Sequence, residues 1–192
     1  MGLGNPGREH RGSRHNVGFL VVAGLAERLR IRLSAGRGDF MSGRGSIAGK
    51  PVLLVTPLTY MNRSGLAVSR VLDEYDAFPD DLLVVCDDVD LPLGQLRLRA
   101  SGSDGGHRGL ASIVAATGTE RFARLRCGVG RPPQETDTAE FVLDGFTPAE
   151  EEEAGSMIEN AVDAVHLAVT EGLGPAMTRF NRRIQRAEGP DA

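Results

Sequence analysis

Lysine is nearly absent from this chain. Lys50 stands alone among 22 basic residues, so positive charge is carried almost wholly by arginine, whose planar fork suits bidentate phosphate contact. Cysteine is scarce too. Cys86 and Cys127 each fall inside a short apolar run without metal-ligand spacing, which excludes a cysteine-built metal site and predicts buried, reduced thiols. No apolar stretch reaches the length of a membrane span, and the start lacks the basic-then-apolar layout of a secretion signal. The expectation is a soluble, cytoplasmic protein with no membrane partner. No serine stands in a Gly-x-Ser-x-Gly elbow, so a hydrolytic site here would activate water rather than a side-chain hydroxyl.

What is present is unevenly spread. The net charge of -4 conceals a segregation. Seven arginines between Arg97 and Arg131 face only Asp104 and Glu120, a local balance of +5, whereas Gln134 to Glu171 holds eleven acidic residues and no basic one. A protein that repels a polyanion as a whole can still bind one through such a basic segment, since the distribution of charge outweighs its sum.

The 192 residues fit one domain, expected over 1–186 with a disordered tail at 187–192. Asn16 can cap a helix whose apolar positions Phe19, Val22, Leu25, Ala26 and Leu29 recur at the helical period. A glycine-rich stretch, Ser34 to Gly49, leads to the buried-strand run Val52 to Val55, and a helical pattern follows through Leu66, Val71, Leu72 and Tyr75. Leu82 to Cys86 is a second such run, ending in the carboxylate-rich turn Asp87 to Gly94. Gln95 to Arg99 alternates strictly, a half-exposed strand with Arg97 and Arg99 on one face. After the glycine-rich loop Ser101 to Gly106, His107-Arg108-Gly109 opens another helix, and Leu125 to Val129 reads as a strand. Thr147-Pro148-Ala149-Glu150 is a capping box that starts a long acidic helix to about Glu171, and a last helix spans Pro175 to about Arg186. The alternation predicts an α/β fold, a mixed but largely parallel twisted sheet with helices on both faces.

The first eighteen residues carry the strongest chemical signal. Gly2-Leu3-Gly4-Asn5-Pro6-Gly7 matches the spacing of a dinucleotide fingerprint, but that fingerprint needs a strand before it and a helix opening on it. Only Met1 precedes the turn, and residues 8–14 have no apolar stripe. The expectation is instead that the true start lies several residues upstream or that the first strand is truncated, which would leave its place in the sheet unfilled. Asn5, Asn62 and Asp87 each follow an apparent strand, so all three are expected at the carboxyl edge of the sheet, where His15 can join them. A histidine backed by a carboxylate holds one tautomer and stabilises its protonated form, and two amides can polarise a carbonyl. Each residue also has a plainer role available: turn former for Asp87, helix cap for Asn62, edge protection for Arg97 and Arg99.

These residues sit in separated motifs: the opening glycine turn, Arg14-His15-Asn16-Val17-Gly18, Tyr60-Met61-Asn62-Arg63-Ser64-Gly65, Asp87-Asp88-Val89-Asp90-Leu91-Pro92, Gly105-Gly106-His107-Arg108-Gly109-Leu110, Arg124 to Pro132, and Phe141-Val142-Leu143. Together and in this order they resemble the bacterial peptidyl-tRNA hydrolase family over nearly the whole chain. The resemblance implies hydrolysis of the ester joining an N-blocked peptide to the 3'-terminal ribose of tRNA, which recycles tRNA in translation and rescues ribosomes. It implies His15 as catalytic base oriented by Asp87, and Asn5 and Asn62 as amides that hold the peptide end and polarise the ester. Asn16, Tyr60, Met61 and His107 would line the cleft, and Arg97, Arg99 and Arg126 would meet phosphates of the acceptor stem beside the CCA end. No metal or organic cofactor is implied, and a monomer is expected. Arg108 stands where many relatives have Asn, His10 where Tyr is common and Ser13 where Thr is. The family also includes homologues adapted as organellar splicing partners, so a non-catalytic RNA-binding protein of the same fold is the second reading.

Overall fold

The first three residues lie in the middle of the fold. In the computed structural model, which describes residues 1–182, six strands and six helices follow them: α1 (Val17–Leu29), β1 (Ser34–Ala35), β2 (Phe40–Ile47), β3 (Lys50–Pro57), α2 (Ser64–Glu74), β4 (Leu83–Asp88), β5 (Leu96–Arg99), α3 (Arg108–Thr117), β6 (Ala123–Gly128), α4 (Thr138–Leu143), α5 (Glu151–Thr170) and α6 (Leu173–Phe180). The strands form two three-stranded sheets, ordered β1-β2-β3 and β4-β6-β5. Met1–Leu3 stitch them together. The Gly2 amide donates to Val55 in β3, while the Leu3 amide donates to Val85 in β4 and the Val85 amide returns a bond to Met1. The expected vacancy is therefore occupied by a minimal segment, with Gly2 pairing in parallel with Val85.

The sheet is mixed, but parallel pairing is confined to its centre. Only the β4–β6 ladder is parallel; β1–β2, β2–β3 and β5–β6 are antiparallel. Short connections reverse β1 onto β2 and β2 onto β3, since a parallel return needs a dozen or more residues, and the short connection from β4 reverses β5, which therefore also runs against β6. Ala48 and Gly49, both at positive φ, close β2 onto β3 in a two-residue turn. The glycine-rich stretch 34–49 thus contains two strands, β1 and β2. Its glycines are packing requirements: a Cβ at Gly43 would come within 2.5 Å of the Ile31 side chain, and Gly45 faces the same residue.

Helices cover both faces, as the alternation predicts. α1, α5 and α6 bury Val21, Leu25, Met157 and Ala176 against Val85, Leu98, Leu125 and Cys127. On the other face α2 and α3 bury Val68, Leu110 and Ile113 against Leu3, Val84, Cys86 and Phe122. Before α5, Glu150 reaches back to the Thr147 amide at 2.8 Å, as the capping box predicts. α6 runs over Leu173–Phe180, with the expected end near Arg186 outside the described residues, and Asn181 turns its side chain to β5, accepting from the Leu98 amide at 2.6 Å and donating to its carbonyl at 3.0 Å. The amide behaves as one residue of an added strand on the sheet edge. The expected tail at 187–192 lies outside the described residues.

Close approach of α1 to the sheet depends on Gly18, where an added methyl would collide with backbone atoms of Leu3 and Val85. Gly18→Ala is expected to cost about 3 kcal/mol. Gly155→Ala, on an open face of α5, is expected to add about 0.5–1 kcal/mol. Chemical denaturation of both variants checks this, and equal midpoints would contradict the packing described.

Candidate active site

Asp87 lies near the carboxyl end of β4 with its side chain 3 % exposed, and a buried carboxylate must find donors. It finds two histidines. His15, in the 3-10 turn Arg14–Asn16 that leads into α1, places Nδ1 2.8 Å from Asp87 Oδ1. His107, the residue before α3, places Nε2 2.9 Å from the same oxygen. The ring centroids are 5.2 Å apart.

Hydrogen bonding fixes the two rings in opposite tautomers. His107 Nδ1 accepts the amides of Gly109 and Leu110 at 3.1 and 3.2 Å, so its proton sits on Nε2, which donates to Asp87. For His15 the Nδ1 proton points to Asp87 and Nε2 has no partner among the described residues, which leaves a lone pair open to the cavity. Burial works to raise the Asp87 carboxyl, but the two histidines outweigh it and hold the group well below the usual carboxylate range. The ligand atoms of His15, Asp87 and His107 lie within 4.8 Å of one another, a set that on distance alone could hold a metal. Ligation through His107 Nε2 would require removing the proton that the two amides force there, so the set suits proton transfer better than metal binding.

The amides are arranged by a second network. Asn5 Oδ1 accepts the Met61 amide at 2.8 Å, which spends the oxygen and leaves Nδ2 as a donor at the cavity wall. Asn16 occupies the cap position of α1 without capping it. Its side chain instead grips the backbone of Asn5, accepting from the amide at 2.7 Å and donating to the carbonyl at 3.0 Å. At 3 % exposure Asn16 supports the site from behind and does not line the cavity, contrary to expectation.

The cavity measures about 700 Å³ and opens at the ends of β4 and β6. Asn5, His15, Asn62 and Asp87 line it, a convergence the strand-end logic anticipates, and so do Tyr60, Met61, His107, Arg108 and Arg126. Arg97 and Arg99 stand outside it, exposed on β5. Arg126 differs from the free phosphate contact expected of it: its guanidinium binds Asp88 at 3.2 Å and the carbonyls of Ser103 and Asp104 at 3.0 and 2.9 Å, tying down the glycine-rich loop. Cys86, although next to Asp87, is buried with its thiol pushed well up by desolvation, which rules it out as a nucleophile. Sequence reasoning assigns no lining role to Arg63, to Asp88, Val89 and Asp90, to Gly105 and Gly106, or to the segment from Asp137 to Leu143, all of which reach the wall. Asp137 caps α4 through the Ala139 and Glu140 amides, a cap legible in the sequence, but nothing local shows that the helix would return to the site.

Comparison with known proteins agrees with this geometry. The family described as peptidyl-tRNA hydrolase matches residues 1–188. The peptidyl-tRNA hydrolase of Aquifex aeolicus is 44% identical over 188 residues, covering 95% of each chain, and that of Bacillus subtilis is 41% identical over 183 residues, covering 95% of this chain and 97% of the other. The crystal structure of peptidyl-tRNA hydrolase from Acinetobacter baumannii superposes with a TM-score of 0.89 at 37% identity, covering 95% of this chain and 93% of that one. With a profile match over nearly its full length, relatives above 40% identity and the same fold, the chain belongs to the peptidyl-tRNA hydrolase family.

Proposed function

We propose that this protein hydrolyses the ester between the peptide and the 3'-terminal ribose of N-blocked peptidyl-tRNA, with His15 as general base. A water on His15 Nε2 attacks the ester carbonyl and gives its proton to the imidazole. Asp87, fixed on Nδ1, stabilises the imidazolium that forms. Asn5 Nδ2 and the Asn62 amide donate to the developing oxyanion, whose stabilisation is worth several kcal/mol when donors are held in advance. Collapse of the tetrahedral intermediate breaks the bond to the ribose oxygen, which takes the proton back from His15. The products are the peptide acid and tRNA. The observation that carries this reading is the unpartnered nitrogen of the His15 imidazole, Nε2, on a ring held by a buried carboxylate in a cavity that also presents a spare amide donor.

The charge pattern supports tRNA as the other half of the substrate. On adjacent strands Arg97 lies opposite Arg126 and Arg99 opposite Arg124, an arrangement that destabilises an empty sheet face. Asp88 pairs with Arg126, and loop carbonyls occupy the donors of Arg124 and Arg126, which leaves Arg97 and Arg99 for an external anion. Edge protection is a weaker explanation of these two, because Asn181 already covers that edge at Leu98. Acceptor-stem phosphates match the requirement.

The base and the arginines have separable roles. His15→Ala and Asp87→Asn should each lower turnover of N-acetyl-aminoacyl-tRNA by roughly 10²–10⁴-fold, with His15→Ala leaving tRNA binding unchanged and costing only about 1–3 kcal/mol of stability, because Asp87 loses one donor and keeps His107. Retained turnover in His15→Ala would refute the mechanism, and no turnover in the unaltered protein would favour the non-catalytic RNA-binding reading. Charge reversal at Arg97 and Arg99 should raise KM for the tRNA ester and flatten its log-log salt dependence by about one unit for each phosphate that the protein no longer neutralises. The N-acetyl-aminoacyl ester of adenosine alone should be hydrolysed as before; equal impairment on both substrates would make the two arginines structural.

A further inference from the structure

α4 is the cavity wall least supported by the two main cores. It has six residues, and its buried side chains Phe141 and Val142 pack in a small cluster with Val129, reached by Val89 and Phe146. Yet it supplies Ala139, Val142 and Leu143 to the cavity, much of the apolar lining of a site otherwise dense in polar groups.

What fastens it is Arg14, the residue before His15. Arg14 is 4 % exposed, and its guanidinium lies 4.2 Å from the centre of the Phe141 ring and 5.3 Å from that of Phe146. Nη1 donates to the Gly145 carbonyl at 2.5 Å, and Nη2 donates to Glu150 Oε2 at 2.7 Å. The backbone adds a further tie, with the Arg14 amide on the Asp144 carbonyl at 2.9 Å and Ser13 bridged to Gly145. Glu150 in turn accepts the amide and hydroxyl of Thr147, so the guanidinium gathers the side-chain ties of the segment between α4 and α5 beside its backbone bonds. A planar fork reaches a carbonyl and a carboxylate at once while stacking on a ring; an ammonium cannot.

We propose that Arg14 is a positioning residue for substrate selection: it holds α4 as the wall that receives the side chain of the peptide residue at the ester. This rests on the hydrolase reading above and goes beyond it. The imidazole of His15 is held independently by Asp87, so loosening Arg14 displaces the wall and spares the base. The effect belongs in KM, and it depends on the size of the side chain that the wall receives.

Arg14→Lys and Glu150→Gln test this, because each keeps part of the interaction and is expected to fold. Steady-state kinetics use N-acetyl-phenylalanyl-tRNA and N-acetyl-glycyl-tRNA, and hydrogen–deuterium exchange is measured on the free proteins. For Arg14→Lys, KM for the phenylalanyl ester is expected to rise about ten-fold, with KM for the glycyl ester and both kcat values within about two-fold of the unaltered enzyme. Glu150→Gln should shift the same quantities in the same direction. Amides of 138–145 should exchange faster in both variants, while those of α1 keep their rates. Equal KM increases on the two esters, a fall in kcat with a displaced pH profile, or unchanged exchange in 138–145 would each overturn the proposal. If the unaltered protein turned over neither ester, the hydrolase reading would fall, and the exchange data would still decide whether Arg14 holds α4.

Discussion

One carboxylate oxygen organises the site. Asp87 Oδ1 is buried at the end of β4 and accepts a hydrogen bond from each of two histidines, one from the turn before α1 and one from the start of α3. Leaving such a charge unpaired costs several kcal/mol, so the turn and the helix start, which lie on opposite faces of the sheet, are both drawn to the strand end. His107 is held in turn by the first amides of α3, and through them its tautomer is set by the helix itself. The free nitrogen of His15 follows from Asp87 itself, which claims the Nδ1 proton and leaves Nε2 to the cavity.

The rest of the site repeats this construction with neutral groups and arginine. Asn16 clamps the backbone of Asn5, and Asn5 takes the Met61 amide, so the opening turn, the α1 turn and the turn before α2 are tied in one chain of hydrogen bonds. Arginine guanidinia then fasten the loops. Arg14 holds the segment after α4, and Arg124 and Arg126 hold the carbonyls of the loop before His107. Arg124 is almost wholly buried and meets carbonyl oxygens and the Phe122 ring rather than a carboxylate. Five donors in a fixed plane allow one side chain to satisfy several loop carbonyls, a job to which the chain's single lysine is unsuited. Lys50 binds the last carbonyls of α5, where a point charge is sufficient.

Much of this was legible in the sequence because period and position carry it. The runs around Val84 and Leu125 and the alternation at Arg97 and Arg99 mark strands directly, and Asn62, in the turn after β3, and Asp87, near the end of β4, fall at the cavity as topology requires. β2 was hidden because its glycines answer to Ile31, a neighbour that no local pattern reports. Asn16 and Arg126 show the same limit from the side of function. Their residue types suit a cap and a phosphate contact, but Asn5 and Asp88 claim them first. The sheet's balance of parallel and antiparallel pairing follows from connection lengths, which become visible only once β2 is recognised.

The shared oxygen makes a demand that can be read without substrate. Nitrogen-15 spectra of the histidine side chains, recorded where both rings are neutral, assign the protonated nitrogen of each. The hydrogen bonds of the site require His15 to carry its proton on Nδ1 and His107 on Nε2. A proton on Nε2 of His15 would leave no base facing the cavity and would contradict the proposed chemistry at its centre.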